Sequence, residues 1–346
     1  MASSPHHFSG PNEAPSGFQP MNEPIISVKD LTVRYRTRES TAYATDQVSF
    51  DLHRGQILTL VGESGCGKSL TALAIMGLLP ENSFAEGELH FKSRDLLTTD
   101  KESMRRLRGK EISMIFQEPM TSLNPVLTVG YQIAEVLTTH MGLSRKTATE
   151  KVVELLKAVS IPSPEIRLKE YPHQMSGGMR QRIMIAMAIA CNPSLLIADE
   201  PTTALDVTIE AQILELVRNL REERNMAVLL ITHDIGVIAE NAERAAVMYA
   251  GRIMETSRVS QVLETPKHPY TIGLLESLPK RKGIPLKPIP GSVPRPEELP
   301  PGCKFSDRCR YMIPDCRKEE PALREITRGH FARCIRAEEM QWTLSR

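Results

Sequence analysis

Short apolar runs, separated by polar or turn residues, recur along the middle of the chain. Runs of four to six apolar residues predict strands that are buried on both faces of a sheet. Segments with helical spacing lie between them, and this alternation predicts an α/β fold with a mostly parallel core sheet. The apolar runs are residues 57–61, 112–116, 195–198, 227–231 and 245–249.

Other segments show the longer period of helices or the two-residue period of exposed strands. The helical segments are residues 68–79, 129–139, 148–159 and 177–190. Pro162 and Pro164 mark a loop after the third of them. Residues 25–34 and 48–52 alternate as strands do, and we expect the polar residues 37–46 to connect them.

The two ends of the chain differ in composition from its middle. Residues 1–23 are rich in Ser, Pro, Gly and His and lack the pattern of a secretory signal, so we expect a disordered tail. Residues 279–301 form a proline-rich linker, and four of the six cysteines follow it. We therefore predict one large domain over residues 24–278 and a small cysteine-rich extension over residues 279–346.

Charge and hydropathy exclude two classes of protein. Lys and Arg number 43 against 42 Asp and Glu, so no basic field favours nucleic acid as a partner. No apolar run approaches the roughly 18 residues that a membrane-spanning helix requires. We therefore expect a cytoplasmic location, in which cysteines are thiols or metal ligands rather than disulfides.

A glycine-rich loop follows the first apolar run and fits the P-loop pattern. Its glycines let backbone amides turn toward phosphate oxygens, Lys68 supplies positive charge to the β- and γ-phosphates, and Ser69 offers a hydroxyl to Mg²⁺. The helix that starts here adds the positive end of its dipole. The sequence therefore predicts a site for a nucleoside triphosphate with Mg²⁺. The loop is Gly62, Glu63, Ser64, Gly65, Cys66, Gly67, Lys68 and Ser69.

Two acidic residues, Asp199 and Glu200, end the apolar run at 195–198. In a parallel sheet the end of this strand lies near the P-loop, where Asp199 can hold Mg²⁺ through water. Glu200 faces the other way and is placed to polarise an attacking water. Phosphoryl transfer depends mostly on positioning and charge stabilisation, so one well-placed carboxylate suffices.

Further motifs in one order make the chain similar to the ABC ATPase family. They are Gln117, Ser176, Gly177, Gly178 and His233. The Ser-Gly-Gly triplet resembles the family signature, although Met175 and Met179 replace its usual outer residues Leu and Gln. The resemblance implies a P-loop fold with three parts besides the extension: a mostly parallel core sheet, an antiparallel β subdomain, and a helical subdomain at about residues 118–192.

The same resemblance implies roles for individual residues. Gln117 lies in the loop that senses the γ-phosphate and touches the membrane subunits, and it is a ligand of Mg²⁺. His233 contacts the γ-phosphate, and Tyr35 stacks on adenine, with Tyr43 as its rival. The residues Ala204, Leu205 and Asp206 match the loop that crosses the ATPase dimer. The helix that starts at the signature meets the phosphates of ATP bound by a second subunit, so two subunits enclose two nucleotides.

Two longer phrases resemble the importers of dipeptides, oligopeptides and nickel. They are residues 118–125, Glu-Pro-Met-Thr-Ser-Leu-Asn-Pro, and residues 268–271, His-Pro-Tyr-Thr. This resemblance implies an ATP-hydrolysing subunit that is peripheral on the cytoplasmic face of the inner membrane. The implied partners are a second, distinct ABC ATPase chain, two transmembrane permease subunits and a separate peptide-binding protein. The transported compound stays open.

The cysteines of the extension are Cys303, Cys309, Cys316 and Cys334, separated by five, six and seventeen residues. Four thiolates can hold zinc or an iron–sulfur cluster. Zinc sites favour pairs two to four residues apart, and wider spacing suits a bulkier cluster. Resembled importers carry a four-iron cluster at matching cysteines, which implies [4Fe–4S] here, with zinc second and free thiols third. We expect a structural role, since the segment is too small for a core of its own.

Two other functions fit parts of the sequence. One is a soluble ABC ATPase that acts in DNA repair or on ribosomes. The interval from Lys68 to Gln174 is too short for the long coiled-coil insert of such repair proteins, and the balanced charge also argues against DNA. The other is a redox switch built on the cysteine segment, with the ATPase part in a regulatory role.

Overall fold

The computed structural model describes residues 23–36, 41–117, 122–203, 205–278 and 288–340. The strands are β1 (Ile26–Arg36), β2 (Thr41–Leu52), β3 (Ile57–Val61), β4 (Ser83–Phe91), β5 (Arg94–Asp95), β6 (Ile112–Ile115), β7 (Leu195–Asp199), β8 (Ala227–Thr232), β9 (Arg244–Tyr249), β10 (Arg252–Arg258), β11 (Arg324–Thr327) and β12 (His330–Ala332). The α-helices are α1 (Lys68–Met76), α2 (Lys101–Leu107), α3 (Val129–Met141), α4 (Arg145–Ala158), α5 (Pro164–Arg167), α6 (Gly177–Ile189), α7 (Val207–Arg224), α8 (Ile238–Asn241), α9 (Val259–Glu264) and α10 (Pro269–Glu276).

The larger sheet has eight strands in the order β11-β12-β10-β9-β3-β8-β7-β6. Strands β9, β3, β8, β7 and β6 run parallel, and β10, β12 and β11 continue the sheet antiparallel on one side. Every residue of β3, β7 and β8 is buried, as expected for strands covered on both faces. This confirms the α/β fold with a mostly parallel core sheet.

The smaller sheet is antiparallel, in the order β2-β1-β4-β5. The interpretation of residues 37–46 as a connection was wrong over its described part, because β2 starts at Thr41 and pairs with the end of β1. The polar residue Thr45 is fully buried and its hydroxyl accepts a hydrogen bond of 2.9 Å from the backbone N–H of Val33. Because this polar side chain is buried with its hydrogen bonds satisfied, the hydropathy of the segment did not indicate a strand.

The helical elements differ from the predicted ones mainly at their ends. Helix α1 stops at Met76 because Gly77 takes a left-handed φ of 60° and the N–H of Leu78 bonds back to the carbonyl of Leu73 at 2.8 Å. Pro164, predicted in a loop, starts the short helix α5, since proline is tolerated in the first turn. Helices α3, α4 and α6 pack together with one face of the core sheet. Among the described helices, none has both the length and the apolarity of a membrane span.

The cysteine-bearing segment packs against the core sheet. Strand β12 pairs with β10, and the residues Cys303, Phe305 and Cys316 belong to one apolar cluster with Tyr249 and Tyr270. Phe305 meets Tyr249 edge-on at a centroid distance of 5.2 Å. Burial of these rings removes a large apolar area from water, which stabilises the contact between the segment and the sheet.

A fully buried carboxylate joins β10 to the C-terminal hairpin. Glu255 Oε1 lies 2.7 Å from His330 Nε2, and the same carboxylate accepts hydrogen bonds from the backbone N–H groups of Lys267 and His268 at 2.8 and 2.9 Å. Neither Glu255 nor His330 is exposed to solvent. The pair therefore fixes three segments of chain around one side chain.

We expect Glu255→Ala to lower the free energy of unfolding by about 3 kcal/mol, because it leaves several buried donors without an acceptor. Urea unfolding followed by circular dichroism measures the change. The exposed Glu319 offers a control, since Glu319→Ala deletes a carboxylate of the same region that is already in contact with solvent. Equal stability of the two variants would contradict the role of the buried pair.

Candidate active site

The P-loop connects the end of β3 to the start of α1, and glycines fix its path at two places. A Cβ atom at Gly62 would lie 2.1 Å from the carbonyl oxygen of Met248, a distance that no side chain tolerates. Gly67 has φ of +103°, and a Cβ there would lie 2.5 Å from the carbonyl oxygen of Ala44. The backbone of the loop thus needs glycine at both of these positions.

Lys68 is almost fully buried, and its ammonium group turns back into the loop. Its Nζ donates to the carbonyl oxygens of Gly62 at 2.8 Å and Glu63 at 3.1 Å. It also lies 3.8 Å from Cys66 Sγ. Burial raises the pKa of the Cys66 thiol, which keeps it neutral. The loop therefore encloses one positive charge, and its own carbonyl groups orient that charge.

A hydroxyl and a carboxylate meet beside this loop. Ser69 Oγ donates to Asp199 Oδ1 at 3.1 Å, and Asp199 is only 5% exposed. Burial is the main cause that raises the pKa of Asp199, and the neighbouring charge of Glu200 adds to it. An oxygen pair of this kind is suited to a divalent cation, whose charge would stabilise the ionised carboxylate.

The carboxylate of Glu200 has three polar neighbours at one of its oxygens. Gln117 Nε2 donates to Glu200 Oε2 at 3.1 Å, and His233 Nδ1 lies 3.2 Å from the same oxygen. The hydroxyl of Thr203 donates to it at 3.1 Å. The structure therefore brings together Gln117, Glu200 and His233. Sequence reasoning missed Thr203, for which the only signal was its place three residues after Glu200.

The backbone at Glu200 is unusual for its residue type. Its φ of +45° lies in the left-handed region, which costs a non-glycine residue about 1–2 kcal/mol. Glu200 N–H donates to the carbonyl oxygen of Ile231 at 2.9 Å, so the turn is held against β8. This conformation directs the carboxylate of Glu200 toward Gln117 and His233, while Asp199 points to Ser69.

The start of α6 packs closely against the start of α7. Ser176 caps α6, since its Oγ accepts a hydrogen bond from the N–H of Met179 at 3.3 Å. A Cβ at Gly178 would lie 2.9 Å from Ile209 Cγ2, and one at Gly177 would lie 3.6 Å from Leu205 Cδ2. Asp206 caps α7 through a bond of 3.0 Å from the N–H of Ile209. Gly177 and Gly178 thus permit close contact between the starts of α6 and α7. The first amides of α6 form the positive end of its helix dipole.

Comparison with known proteins finds matches to two family models and to named relatives. Residues 45–203 match the family model described as ABC transporter, and residues 254–316 match that of the oligopeptide/dipeptide transporter C-terminal region. A putative peptide import ATP-binding protein of Brucella ovis is 49% identical over 333 residues, which cover 92% of this chain and 98% of that protein. A dipeptide transport ATP-binding protein of Bacillus subtilis is 49% identical over 316 residues, with 90% and 94% covered.

This chain belongs to the ABC transporter family. A solved ATP-binding cassette, described as a dimer in a post-hydrolysis state bound to ADP and Pi, superposes with a TM-score of 0.61 at 29% identity. That match covers 68% of this chain and 98% of the solved chain. The resemblance to ATP-binding subunits of peptide importers is confirmed, and these relatives give no support to a function in DNA repair or on ribosomes.

Some of the expected ABC site residues stay predictions. Tyr35 is half-buried in β1 opposite Ala42, and Tyr43 is 46% exposed, with the guanidinium of Arg34 at 5.2 Å from its ring centre. Neither arrangement tests which ring stacks on adenine. Ala204 and residues 118–121 lie outside the described residues.

The four cysteines of the extension line one small cavity. Burial raises the pKa of Cys303 to about 11 and that of Cys334 to about 12, and it raises the pKa of Cys309 as well. In the part of the chain that the structure describes, no three His, Cys, Asp or Glu side chains lie close enough together to hold a single metal ion. The geometry therefore gives a shared cavity without a preformed metal site, and it confirms neither the [4Fe–4S] cluster nor the zinc alternative.

The raised pKa of Asp199 leads to a prediction about stability. The fold favours the neutral carboxyl of Asp199. The contribution of this carboxyl to the free energy of unfolding is therefore present at low pH and is lost as the pH rises through the raised pKa. We expect Asp199→Asn, which mimics the neutral form and keeps the acceptor for Ser69, to raise the melting temperature at neutral pH by roughly 2 °C or more.

Calorimetry of the full chain in buffer without nucleotide or Mg²⁺ measures this change. Asp315, whose side chain is 62% exposed, provides a control, because Asp315→Asn changes a carboxylate that solvent already stabilises. A melting temperature of Asp199→Asn at or below that of the control would contradict the prediction.

Proposed function

We propose that this chain hydrolyses ATP at Glu200 to power the import of dipeptides or oligopeptides across the inner membrane. The observation that carries this proposal is that Gln117 and His233 both contact the same carboxylate oxygen of Glu200. Relatives named for peptide import and dipeptide transport support peptides as the cargo. The chain acts as a peripheral subunit on the cytoplasmic face of that membrane.

Each residue of the site has a distinct part in the proposed reaction. The amides of the P-loop and the ammonium of Lys68 bind the β- and γ-phosphates. The side chains of Ser69, Asp199 and Gln117 would hold Mg²⁺, and its positive charge would stabilise the negative charge on the phosphate oxygens. Glu200 polarises the attacking water, and its contact with His233 keeps both groups facing the γ-phosphate.

The proposed reaction needs a second subunit. The amides at Ser176, Gly177 and Gly178 and the loop at Asp206 face ATP that is held by the P-loop of a partner ATPase, which we infer to be a distinct chain. Two transmembrane permease subunits and a separate peptide-binding protein complete the importer. Closure of the two ATPases around nucleotide moves the permeases through the region of Gln117, and hydrolysis reverses the movement.

We further propose that the cavity lined by Cys303, Cys309, Cys316 and Cys334 holds a [4Fe–4S] cluster. Four thiols converge there from a segment with little core of its own. Burial raises the pKa of Cys303, Cys309 and Cys334, so their protons would be displaced only when a cation binds. Ligands of a cluster stand farther apart than those of one ion. Binding would tie the 3₁₀ turns Ser306–Arg308 and Pro314–Arg317 to the chain near β12.

Replacement of the catalytic carboxylate tests the ATPase assignment. We expect Glu200→Gln to bind a fluorescent ATP analogue with Kd within about threefold of wild type, because the amide keeps the shape of the site. Its kcat falls at least roughly 100-fold, because the amide is too weak a base to polarise water. As the reference, Lys68→Ala should lose nucleotide binding itself. Hydrolysis by Glu200→Gln at the wild-type rate would refute the assignment.

Iron and sulfide analysis tests the cluster. We expect the full chain, purified without oxygen, to contain about four iron atoms and to absorb visible light. Cys334→Ser should lose both properties, whereas Cys191→Ser should keep them, since Cys191 follows α6 and does not line the cavity. One zinc ion per chain without iron, or full iron content in Cys334→Ser, would contradict the proposal.

A further inference from the structure

One arginine of the cysteine segment reaches the P-loop. Arg308 Nη1 and Nη2 donate to the two carboxylate oxygens of Glu63 at 2.7 and 2.9 Å, although 245 residues separate the pair along the chain. The side chain of Arg308 is only 5% exposed. The side chain of Glu63 is 30% exposed. A two-point arginine–carboxylate pair with a buried guanidinium has a defined geometry, in contrast to an ion pair on the surface.

The guanidinium of Arg308 is fixed on its other sides as well. Its Nε donates to the carbonyl oxygen of Pro290 at 2.8 Å, and Nη2 also donates to that of Gly291 at 3.3 Å. The ring of Tyr249 lies 5.6 Å from the guanidinium carbon. Along the chain, Arg308 directly precedes Cys309, whose N–H bonds to the carbonyl oxygen of Ser306 at 3.2 Å. The backbone that carries this guanidinium is therefore part of the cysteine segment itself.

Glu63 is held at each of its polar groups. Its carboxylate accepts from Arg308, its N–H donates to the hydroxyl of Tyr270 at 2.9 Å, and its carbonyl oxygen accepts from Lys68 Nζ at 3.1 Å. The ammonium of Lys68, which we assign to the phosphates, and the guanidinium of Arg308 therefore contact the same residue, Glu63. Arg308 also neutralises a carboxylate that would otherwise repel phosphate within the loop.

We propose that Arg308 is a positioning residue for nucleotide binding. By holding and neutralising Glu63, it sets the path of the P-loop and the direction of Lys68, and it makes the affinity for ATP depend on the state of the cysteine segment. The coupling is reciprocal, so bound nucleotide stabilises that segment in turn. This inference rests on the proposed function of the P-loop.

The test compares two arginines on either side of Cys309. Arg308→Met removes the contact with Glu63, whereas Arg310→Met removes a similar two-point pair with Glu276 at 2.5 and 2.8 Å that does not involve the P-loop. In the full chain with Mg²⁺, we expect Arg308→Met to raise the Kd for a fluorescent ATP analogue roughly 5- to 30-fold. KM rises with it and kcat changes less, while Arg310→Met stays within about twofold.

A second pair of variants separates charge from general damage. Adding Glu63→Gln to Arg308→Met should restore part of the affinity, because the carboxylate that Arg308 no longer neutralises is gone. If Arg308→Met is not recovered folded, Arg308→Lys replaces it against Arg310→Lys, with the same expected order of Kd values.

The outcomes distinguish the inference from the function on which it rests. Wild-type nucleotide affinity in Lys68→Ala would overturn the assignment of the P-loop itself. Lost binding in Lys68→Ala together with unchanged affinity in the Arg308 variants would overturn only the positioning role. Equal loss of affinity in the Arg308 and Arg310 variants would also overturn it, because general damage to the extension would then explain the result.

Discussion

The site depends on the register of three parallel strands. Hydrogen bonding aligns Val61 of β3 with Thr232 of β8, and Ile231 of β8 with Asp199 of β7. The strands therefore end in one row, and the residues that follow them start from the same edge of the sheet. A shift of one residue in β8 would turn its side chains to the opposite faces and separate the histidine from the carboxylate. Close packing of side chains of different shapes on the two faces opposes such a shift.

The same edge contains groups that oppose the stability of the fold. Burial raises the pKa of Asp199, and Glu200 adopts a left-handed backbone that favours glycine. The strong packing of β3, β7 and β8 compensates for both, because each fully buried Leu or Ile contributes about 1.5–3 kcal/mol. Both unfavourable features lie where a cation and a phosphate would bind, which is typical of functional sites.

The sequence was sufficient for those parts of the fold whose signal is local. Buried parallel strands are continuous apolar runs, so the core sheet could be predicted, as could the P-loop and the carboxylates after β7. Strand residues 41–46 were missed because Thr45 is polar yet satisfied inside the protein. The hairpin of β11 and β12 was missed because its residues are mostly polar or half-exposed. The pair of Arg308 and Glu63 joins distant parts of the chain, and no local pattern reveals such a contact.

The separation between Glu63 and Arg308 also determines when the site is completed during synthesis. A ribosome adds about 5–20 residues per second, so roughly 10 to 50 s pass between the two residues. During that interval the glycine loop and its strand exist beside an unpaired carboxylate. The nucleotide pocket of a nascent chain is thus completed only after the segment that contains Arg308 has been made, 245 residues after Glu63, and a chain that stops before that segment keeps the motif without this support.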